Sequence, residues 1–235
     1  MAKDREQLPA NSTPHEVDGF LRKMASMPVL RPAGRRGRLI FGLDATASRE
    51  PTWDRACHIQ GQMFAEAALL GGIEIRLIWY RGFGECRAGR WTADSGELLR
   101  AMTAVRCRGG HTQIRKILGD AIREAGRGRV DALVFVGDCV EEDVDELCHL
   151  AGQLGVLGVP VFVFHEGHEP VAARAFAEIA RLTGGACCRF DADSPGQLRD
   201  LLSAVAVYAA GGRAALEDFG ARAGGLVPRL TSQIR

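Results

Sequence analysis

Five short apolar runs, at residues 39–43, 73–80, 132–136, 159–164 and 186–190, are separated by segments whose apolar residues recur every three or four positions. Runs of that length suit buried strands, and the intervening spacing suits amphipathic helices. The helical segments read as 54–70, 97–105, 113–126, 144–154, 172–182 and 197–209, and residues 86–92 read as an antiparallel edge strand. Strands that alternate with helices imply a largely parallel sheet covered on both faces. The expected fold class is therefore α/β, a doubly wound, mostly parallel six-stranded sheet with helices on both faces. The order usual for such sheets, 3-2-1-4-5-6, sets the first strand beside the fourth and opens a crevice between their carboxyl ends.

The residues that fall at that crevice are rich in oxygen. The first apolar run ends abruptly in Asp44, followed by hydroxyls at alternate positions, Thr46 and Ser48. The fourth strand ends in Gly137-Asp138. Between them, Gly109-Gly110-His111-Thr112 precedes the helix that carries Ile114, Ile117, Leu118, Ala121 and Ile122, with Thr112 placed to act as its N-cap. Carboxylates and hydroxyls suit a hard cation better than zinc. Two converging aspartates also repel each other unless a positive charge sits between them.

Asp44-x-Thr46-x-Ser48, Thr112 after a Gly-Gly turn and Asp138 after a strand together resemble the metal-ion-dependent adhesion site of a von Willebrand factor type A domain. The resemblance covers residues 38–211 and includes Leu182-Thr183-Gly184-Gly185 before a short strand and a last helix. It implies Mg²⁺ or Mn²⁺ bound directly by Thr46, Ser48 and Thr112, with Asp44 and Asp138 bound directly or through water. One coordination position stays open for a glutamate or aspartate of a partner protein, so the implied function is metal-dependent protein binding without catalysis. Two residues depart from the family pattern: Thr46 stands where Ser is usual, and Ala47 where Gly is usual. An alanine would restrict the loop if the backbone there needed positive φ. Trp53, His111 and Glu141 are candidate partner contacts, with Trp53 either exposed beside the site or packed under its loop. Cytosolic members of the family commonly serve ring-ATPase or chaperone-like complexes, and no Gly-x-x-x-x-Gly-Lys-Ser/Thr sequence occurs in this chain.

The rival reading is a phosphatase of the haloacid dehalogenase type. Asp44 would be its nucleophile, Asp138 with Glu142 or Asp143 would hold Mg²⁺, and Lys116 would neutralise phosphate. Thr46 opposes that reading, because most such enzymes carry a second Asp there as general acid, and a threonine does not protonate a leaving group at neutral pH. His165-Glu166-Gly167-His168-Glu169 lacks the spacer of a His-Glu-x-x-His zinc helix.

Composition fits these expectations. A 46% hydrophobic and 25% charged chain with net charge +1 has no global pull towards nucleic acid or membrane. No apolar run approaches the roughly 18 residues of a membrane helix. The four arginines at 31, 35, 36 and 38 read as a solvated linker. Residues 1–14 are polar without an apolar signal core, and the seven cysteines follow no disulfide spacing, so the expected location is cytoplasmic. The expected organisation is an N-terminal extension over 1–37 with a short amphipathic helix at 16–27, the domain over 38–211, and a tail over 212–235.

Overall fold

The computed structural model describes residues 36–50 and 73–190, together with positions 19, 204, 205, 208 and 209. Trp53, the helix expected at 54–70, most of the helices expected at 16–27 and 197–209, and the tail lie outside the described residues. Among those described, no helix is long and apolar enough to cross a membrane.

The strands are β1 (Gly37–Asp44), β2 (Ile73–Arg81), β3 (Glu85–Thr92), β4 (Ala132–Gly137), β5 (Val161–Glu166) and β6 (Ala186–Phe190). They form one sheet in the order β3-β2-β1-β4-β5-β6, parallel except for β3. This is the expected doubly wound sheet, with β1 beside β4. Side chains alternate between its faces because the strand period is two. Leu39, Phe41 and Leu43 enter one buried cluster with Val134, Val136, Phe162 and Phe164. Ile40 enters the other with Leu133, Phe135, Val161 and Val163. The same alternation separates the adjacent thiols: Cys188 belongs to the first cluster and Cys187 packs against the second.

Among the described residues, four complete helices cover the sheet: α1 (Ser95–Thr103), α2 (Ile114–Arg127), α3 (Val144–Val156) and α4 (Pro170–Leu182). Leu98 and Met102 of α1 pack on the first face, whereas Ile117 of α2, Leu147 of α3 and Phe176 of α4 pack on the second. Side-chain carboxylates set the start of three of these helices by accepting from otherwise unpaired amides of the first turn. Asp94 accepts from Gly96 and Glu97 at 2.8 and 3.1 Å, which moves the start of α1 two residues ahead of the apolar periodicity. Asp143 caps α3 and Glu169 caps α4 in the same way.

Two boundaries matter for the crevice. β5 begins at Val161, not at residue 159, because the Val159 N–H bonds back to Leu154 and Pro160 has no N–H for the ladder. The strand then runs two residues further than its apolar run, through His165 and Glu166, and carries both into the sheet. The other is at the edge, where β3 shows a register shift against β2 between Arg76 and Ile78 and exposes Arg87 and Arg90, features that discourage pairing with another strand.

Candidate metal site

Asp44, the last residue of β1, is wholly buried, with 0% of its surface exposed. Its Oδ1 accepts from the Thr46 N–H at 2.7 Å and its Oδ2 from the Tyr80 hydroxyl at 2.9 Å. Tyr80 reaches it because parallel pairing puts the two residues opposite each other on β1 and β2. Burial and the neighbouring carboxylate push the Tyr80 hydroxyl well above its ordinary pKa, so it stays a donor. Burial also raises the Asp44 pKa, against the hydrogen bonds from Thr46 and the charge of Arg49, and the Asp138 carboxylate acts in the same upward direction.

Beyond Asp44 the chain is held on both sides. Ala45 donates to the Tyr80 carbonyl at 2.9 Å, Arg108 donates to the Ala45 carbonyl at 3.1 Å, and Thr46 forms a bridge to Arg108. A single 3₁₀ turn, Ala47–Arg49, follows, closed by Arg49 N–H donating to the Thr46 carbonyl. It brings the hydroxyls of Thr46 and Ser48 to 3.0 Å from each other. No non-glycine residue among those described has positive φ, so alanine at 47 fits this loop without strain.

The turn also delivers a residue that pattern reading missed. Arg49 is 1% exposed and lies across the carboxyl ends of three strands. Its Nη1 donates to the carbonyls of Asp44 on β1 and Val136 on β4, at 3.1 and 3.3 Å, and its Nε to Glu166 of β5 at 2.8 Å. The carboxylates of Glu166, Asp44 and Asp138 all favour its charged form against the cost of burial. The positive charge that two converging aspartates require is thus partly built into the protein. Its only sequence signals are a lone arginine after the hydroxyl loop and a glutamate after an apolar run, and neither specifies the other.

Thr112 is buried, but it is not the cap of α2. The helix starts at Ile114, the cap position falls on Gln113, and the Gln113 side chain makes no capping hydrogen bond. Glu142, from the loop after β4, supplies the cap by accepting from the Ile114 and Arg115 amides at 2.5 and 3.0 Å. Thr112 instead forms a reciprocal pair with Glu141. Its N–H donates to Glu141 Oε2 at 2.9 Å, and its Oγ1 accepts from the Glu141 N–H at 3.0 Å. His111 Nδ1 lies 3.3 Å from the same Oε2. Glu141 and Glu142 therefore stitch the loop after β4 to the Gly-Gly loop and orient Thr112 within it.

Asp138 follows β4 beside β1; a Cβ on the preceding Gly137 would lie 3.6 Å from that of Asp44. Asp138 Oδ1 is buried and has no hydrogen-bond partner. The His165 ring, whose residue pairs across the ladder with Gly137, is buried as well. His165 packs edge-on against Phe176 at 5.2 Å, and burial lowers its pKa. A buried carboxylate oxygen without a partner is costly unless something else fills that role.

The groups a phosphatase would use are engaged elsewhere: Glu142 and Asp143 cap helices, and Lys116 Nζ donates to the Gly84 carbonyl and to Gln113 Oε1, both at 2.8 Å. Among the described residues, no group of three or more His, Cys, Asp or Glu side chains is arranged to hold a metal ion. A cation here has to draw on hydroxyls together with the two aspartates, a donor set that suits a hard ion.

No protein-family model matches the sequence, and no curated protein matches it either. Solved structures do match. A von Willebrand factor type A protein from Catenulispora acidiphila superposes with a TM-score of 0.60 at 16% identity, over 73% of this chain and 43% of its own. The SpRpn10 VWA domain gives 0.56 at 16% identity, over 72% of this chain and 94% of its own. Proximal thread matrix protein 1 from the mussel byssus, solved with a zinc-occupied MIDAS motif, gives 0.55 at 12% identity, over 74% and 46%. The chain thus spans less than half the length of the first and third of these proteins. The likeness establishes a von Willebrand factor type A fold.

Proposed function

We propose that this chain is a metal-dependent protein-binding module. Thr46, Ser48 and Thr112 would hold Mg²⁺ or Mn²⁺ through their hydroxyls, with Asp44 and Asp138 bound directly or through water. The bound ion would supply an electrophilic anchor for one carboxylate of a partner protein. Within the chain, Tyr80 and the Thr46 amide orient Asp44, Glu141 orients Thr112, and Arg49 offsets the two aspartates from beneath. The observation that carries the reading is the unpartnered, buried Oδ1 of Asp138 beside Asp44. The zinc-occupied motif of the byssus protein supports divalent binding on this fold. The reduced thiols of Cys86, Cys139 and Cys148 support a reducing, cytoplasmic setting.

The first test is calorimetric titration of chelator-stripped protein with Mn²⁺. One weak binding event is expected, because neutral hydroxyls and only two carboxylates contribute. Absence of heat up to millimolar Mn²⁺ would refute the reading. A second test concerns catalysis. Repurified protein with Mg²⁺ is expected to leave p-nitrophenyl phosphate and acyl phosphates intact, and turnover abolished by Asp44→Asn would instead establish a nucleophilic aspartate.

A further inference from the structure

The hairpin between β2 and β3, an unremarkable edge turn in the sequence, is bound to the same loop that carries Thr112. Gly82 turns it with φ +59°. Gly110 packs so tightly on Gly82 that a Cβ at 110 would fall 2.1 Å from the Gly82 carbonyl carbon and oxygen. Only glycine fits there. The His111 N–H donates to the Gly82 carbonyl at 3.3 Å, Gln113 Nε2 donates to the carbonyls of Arg81 and Gly82 at 3.1 Å each, and Lys116 Nζ holds Gly84. Arg81 Nη1 donates to the Arg106 carbonyl at 2.8 Å from the other side.

This rigid turn presents Phe83 with 82% of its surface exposed. Its ring meets His111 edge-on, 5.2 Å between centroids, and His111 in turn approaches Glu141, the partner of Thr112. On the opposite flank the Arg108 side chain passes the Gly82 turn, with its Cδ 3.7 Å from where a Cβ would stand, and its backbone is bonded to the Ala45–Thr46 loop. Arg108 is exposed and pairs with no carboxylate among the described residues. An exposed phenylalanine on a braced turn and an exposed arginine whose backbone is bonded to the Ala45–Thr46 loop place an apolar and a cationic group beside the candidate metal loops.

We propose that Phe83, His111 and Arg108 form the partner-reading rim of the site, and that the partner is an acidic peptide segment with a large apolar side chain next to its carboxylates. One carboxylate would go to the metal, so the proposal rests on the metal-bridge reading above. A second carboxylate pairs with Arg108, and the apolar side chain covers Phe83. Aromatic and arginine side chains are the residue types that dominate interface energetics, and a turn already held by its own hydrogen bonds loses little entropy on binding.

The test uses the full chain, ¹⁵N-labelled, in millimolar Mg²⁺, titrated with the blocked peptide Gly-Glu-Asp-Leu-Phe-Gly. Control peptides replace Leu-Phe by Ser-Ser, or Glu-Asp by Gln-Asn. Amide shifts are expected at Phe83, His111 and Thr112 with the first peptide, and Phe83→Ser is expected to weaken binding about tenfold while leaving Mn²⁺ affinity unchanged. Arg108→Gln is expected to weaken it about fivefold and to reduce its salt dependence. Equal affinity of Phe83→Ser and parent, or no binding of the peptide, overturns the proposal. A chelator arm separates the two readings. Binding that ignores chelator but falls with Phe83→Ser keeps the rim and removes the metal bridge, whereas binding that needs metal but ignores Phe83→Ser does the reverse.

Discussion

Replacing Arg49 with methionine will lower the unfolding free energy of the metal-free protein by about 3–5 kcal/mol, the usual cost of removing one partner from a buried ion pair. The substitution leaves Glu166, 11% exposed at its side chain, facing a crevice that already holds Asp44 and Asp138. It also strips a donor from the carbonyls of Asp44 and Val136. Guanidinium denaturation in the presence of chelator measures the loss. The double variant Arg49→Met with Glu166→Leu should regain most of it, because no uncompensated charge then remains, though the two carbonyls stay short of a donor. Arg49→Lys should fall between, since an ammonium keeps the charge but does not match the fork that spans three strands. A loss below about 1 kcal/mol in the single variant would mean that water replaces the guanidinium and that the crevice is not the closed site described above.

The second large effect separates metal binding from folding. At a concentration about 100 times the dissociation constant, Mn²⁺ should stabilise the parent protein by about 2.7 kcal/mol, or roughly 5–10 °C in Tm. Asp138→Asn should abolish that rise. In the metal-free state the same variant should be as stable as the parent or slightly more so, because Asp138 Oδ1 accepts no hydrogen bond that would be lost, and the substitution removes a charge facing Asp44. The gain is small because the charge of Arg49 opposes the repulsion between the two aspartates. A marked loss of metal-free stability would identify Asp138 as a structural acceptor, and the metal reading would lose its main support.

The architecture was legible in the sequence wherever a local period carries the information. Alternating apolar runs and amphipathic segments placed all six strands and the four described helices, and the expected strand order is the observed one. Errors occurred where a single residue overrode the period. Asp94 starts α1 early by capping it, and Pro160 delays β5 by lacking an N–H. Thr112 resembled a cap because a hydroxyl before a helical run usually is one, but Glu142, 28 residues beyond Ile114, occupies that role from another loop.

Composition, periodicity and the two aspartates at strand ends were enough to determine a doubly wound sheet and the crevice between the ends of β1 and β4, which Asp44 and Asp138 flank. Those are properties of chain order and of which residues end which strands, and both are written locally. Only the tertiary structure decided what surrounds them. Arg49 faces Glu166, 117 residues away, Tyr80 reaches Asp44, and Phe83 stands at the rim because Gly110 lets two loops touch. Each of these contacts joins segments whose separate patterns carry no trace of the other, since strand register and loop packing are set by the whole core.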